Sequence, residues 1–268
     1  MMLPPDLQQL AQAAVVSARS FRLDGQTALV VGGGGGLGQG MALSLAAAGA
    51  NVCIAGLGDG ADETTAAIQS LGCSAQSYVV DATNEDSVAE LIDHIVMSYG
   101  SLQILVNSQG CTKLGPTTDY SLQDWQSVID VNLKSVFICC KHAARSMLQN
   151  RVGKIINISS VRSFQGRGED PAYSVSKGGI NQLTRSLAIE WGKHGINVNA
   201  LAPVFTRTNL SASYLEDPEN LKWVCSRIPM GRPAERSDLF GPLLFLASSA
   251  SQFVNGHILP VDGGWLAA

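Results

Sequence analysis

The chain has 268 residues, of which 46% are apolar and only 15% charged, a balance that supplies a sizeable core and excludes an intrinsically disordered protein. A formal net charge of −4 with no basic run excludes a surface that tracks a phosphate backbone, so nucleic acid is not an expected partner. No uninterrupted apolar stretch reaches spanning length and no basic segment opens MMLPPDLQQL, which predicts a soluble, cytoplasmic protein without membrane association; Cys53, Cys73, Cys111, Cys139, Cys140 and Cys225 show no zinc-type spacing, which predicts free thiols and no metal.

Residues 1–22 stand apart as an N-terminal extension, in which Leu7, Leu10, Ala14 and Ala18 can line one helical face. A single domain is expected over 23–268. Strand-length apolar runs follow in order: TALVV (27–31), NVCIA (51–55), AQSYVV (75–80), QILVN (103–107), KIINIS (154–159), INVNAL (196–201) and HILPV (257–261). Between them, helical periods are predicted near 37–48, 62–71, 85–99, 121–149, 171–193, 209–225 and 236–249. Asp62 and Glu63 open the second of these helices and Asn84, with Ser87 and Glu90, opens the third, while Gly100 and Gly195 mark helix ends. Near-continuous apolar strands alternating with helices predict an α/β fold, a doubly wound Rossmann domain whose seven-stranded parallel sheet is covered by helices on both faces.

The run GGGGGLG follows the first strand and opens the first helix, so Gly32, Gly36 and Gly38 stand where a tight turn aims helix N-terminal amides at a pyrophosphate. A flexible turn would look the same, but the restart of a second strand at the right distance favours the dinucleotide reading. That second strand ends at Gly56 and Leu57, neither charged. Asp59, Asp62 and Glu63 follow with no nearby Arg or Lys, which favours NAD and disfavours, without excluding, the extra phosphate of NADP.

Tyr173 and Lys177 are spaced i,i+4, so on a helix the ammonium lies on the phenol's face and can favour phenolate. Ser160 ends one strand, Asn107 another, and Asn132 lies in the helical segment DVNLKSVF. All would meet at the carboxyl edge of the sheet, where ligands of open α/β sheets bind. Individually, Ser160 could cap a turn, Asn132 could satisfy backbone amides, and Tyr173 could be a core residue with a wet hydroxyl.

Taken together, the glycine run, Asp81, Asn107 and Gly110 of NSQG, Asn132, Ser160, Tyr173, Lys177, Pro203 with Thr208 in APVFTRT, and the ending VDGGW resemble the short-chain dehydrogenase/reductase family across residues 23–268. The resemblance implies that Tyr173 is the general acid in reduction and base in oxidation, with Ser160 hydrogen-bonding the reacting oxygen. It implies that Lys177 binds the nicotinamide ribose and that Asn132 holds a water linking Lys177 to solvent. Further cofactor contacts are implied for Gly32, Gly36, Leu37, Gly38, Asp81 and Ala82, and for Asn107, Gly110, Pro203, Thr206 and Thr208. Three departures stand out: Val31 replaces the usual Thr, Ser108 and Gln109 replace Asn-Ala, and Val204 replaces Gly. Gln109 is expected either to hydrogen-bond the cofactor or to crowd it.

Within the family, GLGQGMAL (36–43), SFQGR (163–167) and the segment 241–265 resemble the gluconate 5-dehydrogenases and 2-dehydro-3-deoxy-D-gluconate 5-dehydrogenases, implying a sugar acid or polyol as substrate. Arg162 and Lys113 are candidates to receive its carboxylate, and residues 205–230 are predicted to form a substrate lid. That subgroup tends to carry paired arginines where this chain has Lys113 and Leu114. A homotetramer is implied, with the helices over 121–149 and 171–193 pairing between subunits. A reductase for β-ketoacyl or steroid substrates would use the same four catalytic residues, and a non-catalytic dinucleotide-binding regulator would lack some of them.

Overall fold

A computed structural model describes residues 20–268; most of the N-terminal extension, with the helical face expected there, lies outside the described residues. The elements run β1 (Thr27–Val31), α1 (Gly36–Ala47), β2 (Asn51–Gly56), α2 (Gly60–Ser70), β3 (Ala75–Val79), α3 (Glu85–Tyr99) and β4 (Ile104–Asn107). They continue through α4 (Leu122–Ile129), α5 (Ser135–Asn150), β5 (Gly153–Ile158), α6 (Pro171–Trp191), β6 (Ile196–Pro203), α7 (Asn209–Leu215), α8 (Pro218–Arg227), α9 (Phe240–Ala247) and β7 (Ile258–Val261).

Every strand pairing is parallel, in the order β3-β2-β1-β4-β5-β6-β7. Side chains alternate between the two faces as strand geometry requires. Leu29, Val31, Cys53, Leu105, Ile155 and Val198 pack against α3, α5 and α6, while Ala28, Val30, Ile54, Val106 and Ile156 pack against α1, α2 and α9. The chain reverses its direction of winding between β1 and β4, and a crevice opens there at the carboxyl ends of the strands.

Local signals explain the helix ends. The Asn84 side chain accepts the Ser87 amide at 3.1 Å, and Gly100 and Gly195 adopt left-handed φ of 82° and 83°. Three predicted helices are interrupted. The one over 121–149 holds a π-turn at Asp130–Lys134, which carries Asn132. The one over 209–225 breaks at Asp217-Pro218, where the Asp217 carboxylate caps the amides of Glu219 and Asn220, both at 2.9 Å. The one over 236–249 begins as a tighter turn, and α9 starts only at Phe240, because Pro242 is tolerated only in a helix's first turn.

A separate small apolar cluster roofs the crevice: Val161, Val204, Leu215, Val224, Ile228 and Trp265 bury one another, joining α7 and α8 to the chain's last residues. Among the described residues, no helix is long and apolar enough to cross a membrane.

Candidate active site

Glycine is dictated by space in the loop after β1. A Cβ on Gly38 would lie 2.2 Å from the carbonyl oxygen of Gly32, one on Gly32 2.6 Å from the amide nitrogen of Gln109, and one on Gly34 2.8 Å from that of Ala61. The loop is thereby pressed between β4 and the start of α2. Gly35 stands at the N-cap of α1 and offers no side chain to cap it, leaving the first amides free for an anion. Together with the cavity these features fit a dinucleotide, pyrophosphate on α1.

A cavity of about 590 Å³ begins at this loop. Gly32, Gly36, Leu37, Gly56, Leu57, Asp81 and Ala82 line it under β1 to β3, and Gly110, Ser160, Tyr173, Lys177, Pro203, Thr206 and Thr208 line it under β4 to β6. The Asp81 carboxylate accepts the amide and hydroxyl of Thr83 at 2.9 and 2.8 Å, which holds its pKa below the ordinary value. Asp59, Asp62 and Glu63 do not line the cavity; Asp62 accepts the Ser77 hydroxyl instead. Their expected repulsion of an extra phosphate therefore has no seat at the site. They lie at or in the first turn of α2, where acids suit the helix dipole.

Ser160 leaves β5 as its hydroxyl accepts the Arg162 amide at 3.1 Å, and Tyr173 and Lys177 stand one turn apart on α6. Burial pushes the Tyr173 phenol up; the Ser160 hydroxyl and the Arg162 charge pull it down, and Asp170 pushes it up. The Nζ of Lys177 donates to the Ile158 carbonyl at 2.7 Å and lies 5.6 Å from the centre of the Tyr173 ring, and burial lowers its pKa to about 8.

Some sequence-selected residues support the cavity without lining it. Asn132 is fully buried and clamps Cys111 from both sides, accepting its amide at 2.8 Å and donating to its carbonyl at 2.9 Å, and also donates to Ser176 Oγ at 3.1 Å. Asn107 is likewise buried beneath the loop and donates to Asn157 Oδ1 at 2.9 Å; Asn157 in turn donates to Thr184 Oγ1 at 3.0 Å. Gly38 serves the loop's own packing. Gln109 lines the cavity, its amide nitrogen donating to Ser135 Oγ at 3.0 Å and its Oε1 buried without a partner.

The two candidate cations part company. Lys113 is exposed, stands 4.0 Å from Asp124 and does not line the cavity, although its neighbours Thr112 and Leu114 do. Arg162 lines it, with its guanidinium 5.7 and 5.6 Å from the ring centres of Phe205 and Trp265 and its Nη2 buried without a hydrogen-bond partner. Arg167 and Asp170 line the same wall. Asp170 escaped the sequence reading because an aspartate ahead of Pro171 looks like a helix cap. Phe205 and Tyr214 lie in the predicted lid and Trp265 in VDGGW, but their packing on Arg162 and Arg167 depends on contacts distant along the chain.

The family model described as enoyl-(acyl carrier protein) reductase matches residues 32–266. The chain is 43% identical to 2-dehydro-3-deoxy-D-gluconate 5-dehydrogenase of Escherichia coli (strain K12) over 206 residues, 76% of this chain and 81% of that protein. It is 36% identical to gluconate 5-dehydrogenase of Gluconobacter oxydans (strain 621H) over 245 residues, 91% and 96% of the two chains. Among solved structures, a gluconate 5-dehydrogenase from Burkholderia cenocepacia J2315 in complex with NADP and tartrate superposes with a TM-score of 0.90 at 37% identity, covering 93% of this chain and 98% of that one.

Proposed function

This chain belongs to the short-chain dehydrogenase/reductase family, and from that premise we propose that it interconverts a secondary alcohol and a ketone on a sugar acid, with Tyr173, Ser160 and Lys177 as its catalytic residues. The enzyme is an NAD(P)-dependent oxidoreductase acting on CH–OH groups. The observation that carries the substrate reading is the buried, unpartnered Nη2 of Arg162 in the cavity that also holds Tyr173. A buried guanidinium with an unmet donor is suited to a carboxylate, which satisfies both charge and hydrogen bond. An acyl or steroid substrate would leave the charges of Arg162, Arg167 and Asp170 in this wall uncompensated.

When bound, the dinucleotide supplies or accepts the hydride at C4 of its nicotinamide. In oxidation, Tyr173 as phenolate takes the proton from the substrate hydroxyl while the carbinol hydrogen leaves as hydride; in reduction, Tyr173 gives that proton to the new alkoxide oxygen. Ser160 donates to the same oxygen and holds it against the phenol. Lys177, fixed by the Ile158 carbonyl, has two further protons for the ribose hydroxyls. Asn132 acts through Cys111, keeping the loop after β4 closed beneath Lys177.

NAD is proposed ahead of NADP, because among the described residues no Lys or Arg lines the cavity beside Gly56 and Leu57 to receive a 2′-phosphate. We also propose a single catalytic domain over 23–268 with residues 205–230 as its lid, and a homotetramer. The half-exposed Phe137 on α5 and Val175 on α6, with the exposed Ile189, support the subunit contacts. Solution mass tests the assembly. Turnover of a panel of sugar acids and their neutral polyols with each dinucleotide tests the reaction. A preference for acids that Arg162→Ala abolishes is the expected result, and equal use of the neutral polyols would overturn the substrate reading.

A further inference from the structure

Asp170 occupies the N-cap of α6 and does not cap it. An aspartate there ordinarily accepts the amides of the first turn. Here its side chain makes no such bond; it accepts the Ser174 hydroxyl at 2.7 Å. The preceding Glu169 adopts a left-handed φ of 68°, a conformation disfavoured for a side chain of its kind, and its carbonyl accepts the Gly115 amide at 2.9 Å. The backbone is thus held where Asp170 lines the cavity.

That carboxylate is only 3% exposed, lines the cavity beside Tyr173 and, among the described residues, has no cation within salt-bridge distance. Arg162 and Arg167 are near enough to act on its ionisation, yet each rests on aromatic rings: Arg162 on Phe205 and Trp265, Arg167 on Tyr214 at 5.0 Å. Opposite charges held apart in a shielded cavity are unfavourable until a ligand completes both. Ser174 occupies one carboxylate oxygen and leaves acceptor capacity for a donor from the ligand.

Resting on the sugar-acid reading above, we infer that Asp170 is a specificity-determining residue that accepts a hydrogen bond from a substrate hydroxyl near the reacting carbon, while Arg162 takes the carboxylate. The pocket then selects polyhydroxy acids over acids that lack that hydroxyl. A lost partner leaves a buried carboxylate unpaired, so the deoxy acid is rejected.

The test compares a polyhydroxy acid with its analogues from which the hydroxyls flanking the reacting carbon are removed one at a time. kcat/KM is measured in wild type, Asp170→Ala, Asp170→Asn and Arg162→Ala, and acid binding is measured by calorimetry in a Tyr173→Phe background. Wild type should favour one flanking hydroxyl by about 10- to 100-fold, carried mainly in KM. Asp170→Ala should erase most of that ratio while keeping the preference for acid over neutral polyol, and Arg162→Ala should do the reverse. Dinucleotide affinity and thermal melting identify any variant that has failed to fold, and Asp170→Asn, which still accepts the Ser174 hydroxyl, provides the milder substitution. Undiminished hydroxyl discrimination in Asp170→Ala would overturn the inference alone. Failure of wild type to use any polyhydroxy acid would overturn it together with the substrate reading.

Discussion

Lys177 gives its shortest hydrogen bond to the carbonyl of Ile158, at 2.7 Å, and not to Tyr173, whose ring centre lies 5.6 Å from Nζ. The lysine is therefore anchored to the end of β5 before any ligand arrives. Lys177→Met removes the anchor and the proposed donors to the ribose together. Dinucleotide affinity should fall about tenfold or more, and kcat/KM by about 10²- to 10⁴-fold. Calorimetry with NAD and the absorbance of the reduced nicotinamide check both, and an unchanged dissociation constant would remove Lys177 from the cofactor site.

Tyr173→Phe separates proton transfer from binding. The ring and its packing remain, so the dissociation constant for NAD should stay within about threefold while turnover falls about 10²- to 10⁴-fold. A phenylalanine variant that retains most of its kcat would show that the proton goes elsewhere.

The charges around Tyr173 predict opposite displacements of the pH profile. Arg162 lowers the phenol's pKa and Asp170 raises it. The proposed mechanism has oxidation proceed through the phenolate, so its rate should rise with pH through that pKa. Arg162→Ala removes a cation that favours phenolate, and the rising limb should move to higher pH; Asp170→Asn removes an anion that opposes it, and the limb should move to lower pH. Single-turnover oxidation rates across pH check the signs, and movement of both limbs in one direction would refute this electrostatic account.

The sheet was legible because each strand is a short apolar run bounded by polar turns, and apolar runs of that length have few alternatives. Asn84 and Gly100 were legible as helix ends because caps act locally. What escaped the sequence was set by contacts distant along the chain. The π-turn at Asn132 leaves the apolar periodicity almost intact, and Arg162 and Lys113 look alike as loop cations until the fold exposes the Lys113 side chain beside Asp124 and places Arg162 in the cavity. Asp59, Asp62 and Glu63 illustrate the same limit, since closeness to the end of β2 in sequence did not bring them to the cavity.

The glycine loop gives a paired stability prediction. Gly38→Ala would place Cβ 2.2 Å from the carbonyl oxygen of Gly32, and because that neighbour is backbone the loop must deform. The variant should melt lower by several degrees, with weakened dinucleotide binding. Gly35 has no heavy atom within 4 Å of its would-be Cβ and an extended φ of −171°, so Gly35→Ala should change stability by less than about 0.5 kcal/mol. Equal melting of the two variants would show that the contact between Gly38 and Gly32 does not shape the loop.

Asp170 also carries a stability cost whose pH dependence can be worked out. Burial, the largest influence, raises its pKa above the ordinary carboxylate value, and neither the Ser174 hydroxyl nor the two arginines fully restores it. For an acid whose pKa is higher folded than unfolded, the folded state holds the proton longer, so stability falls as pH rises from the unfolded value of 3.8 through the folded one. Below that window both states are protonated and the cost vanishes; above it the cost is complete. Asp170→Asn keeps the acceptor for Ser174 and has no charge to bury. The variant should therefore melt higher than wild type at neutral pH, and the difference should shrink as the pH approaches 3.8. A constant difference across pH would mean that the carboxylate titrates freely. A variant that melts lower at neutral pH would mean that Arg162 and Arg167 already compensate the charge, leaving nothing for a substrate hydroxyl to complete.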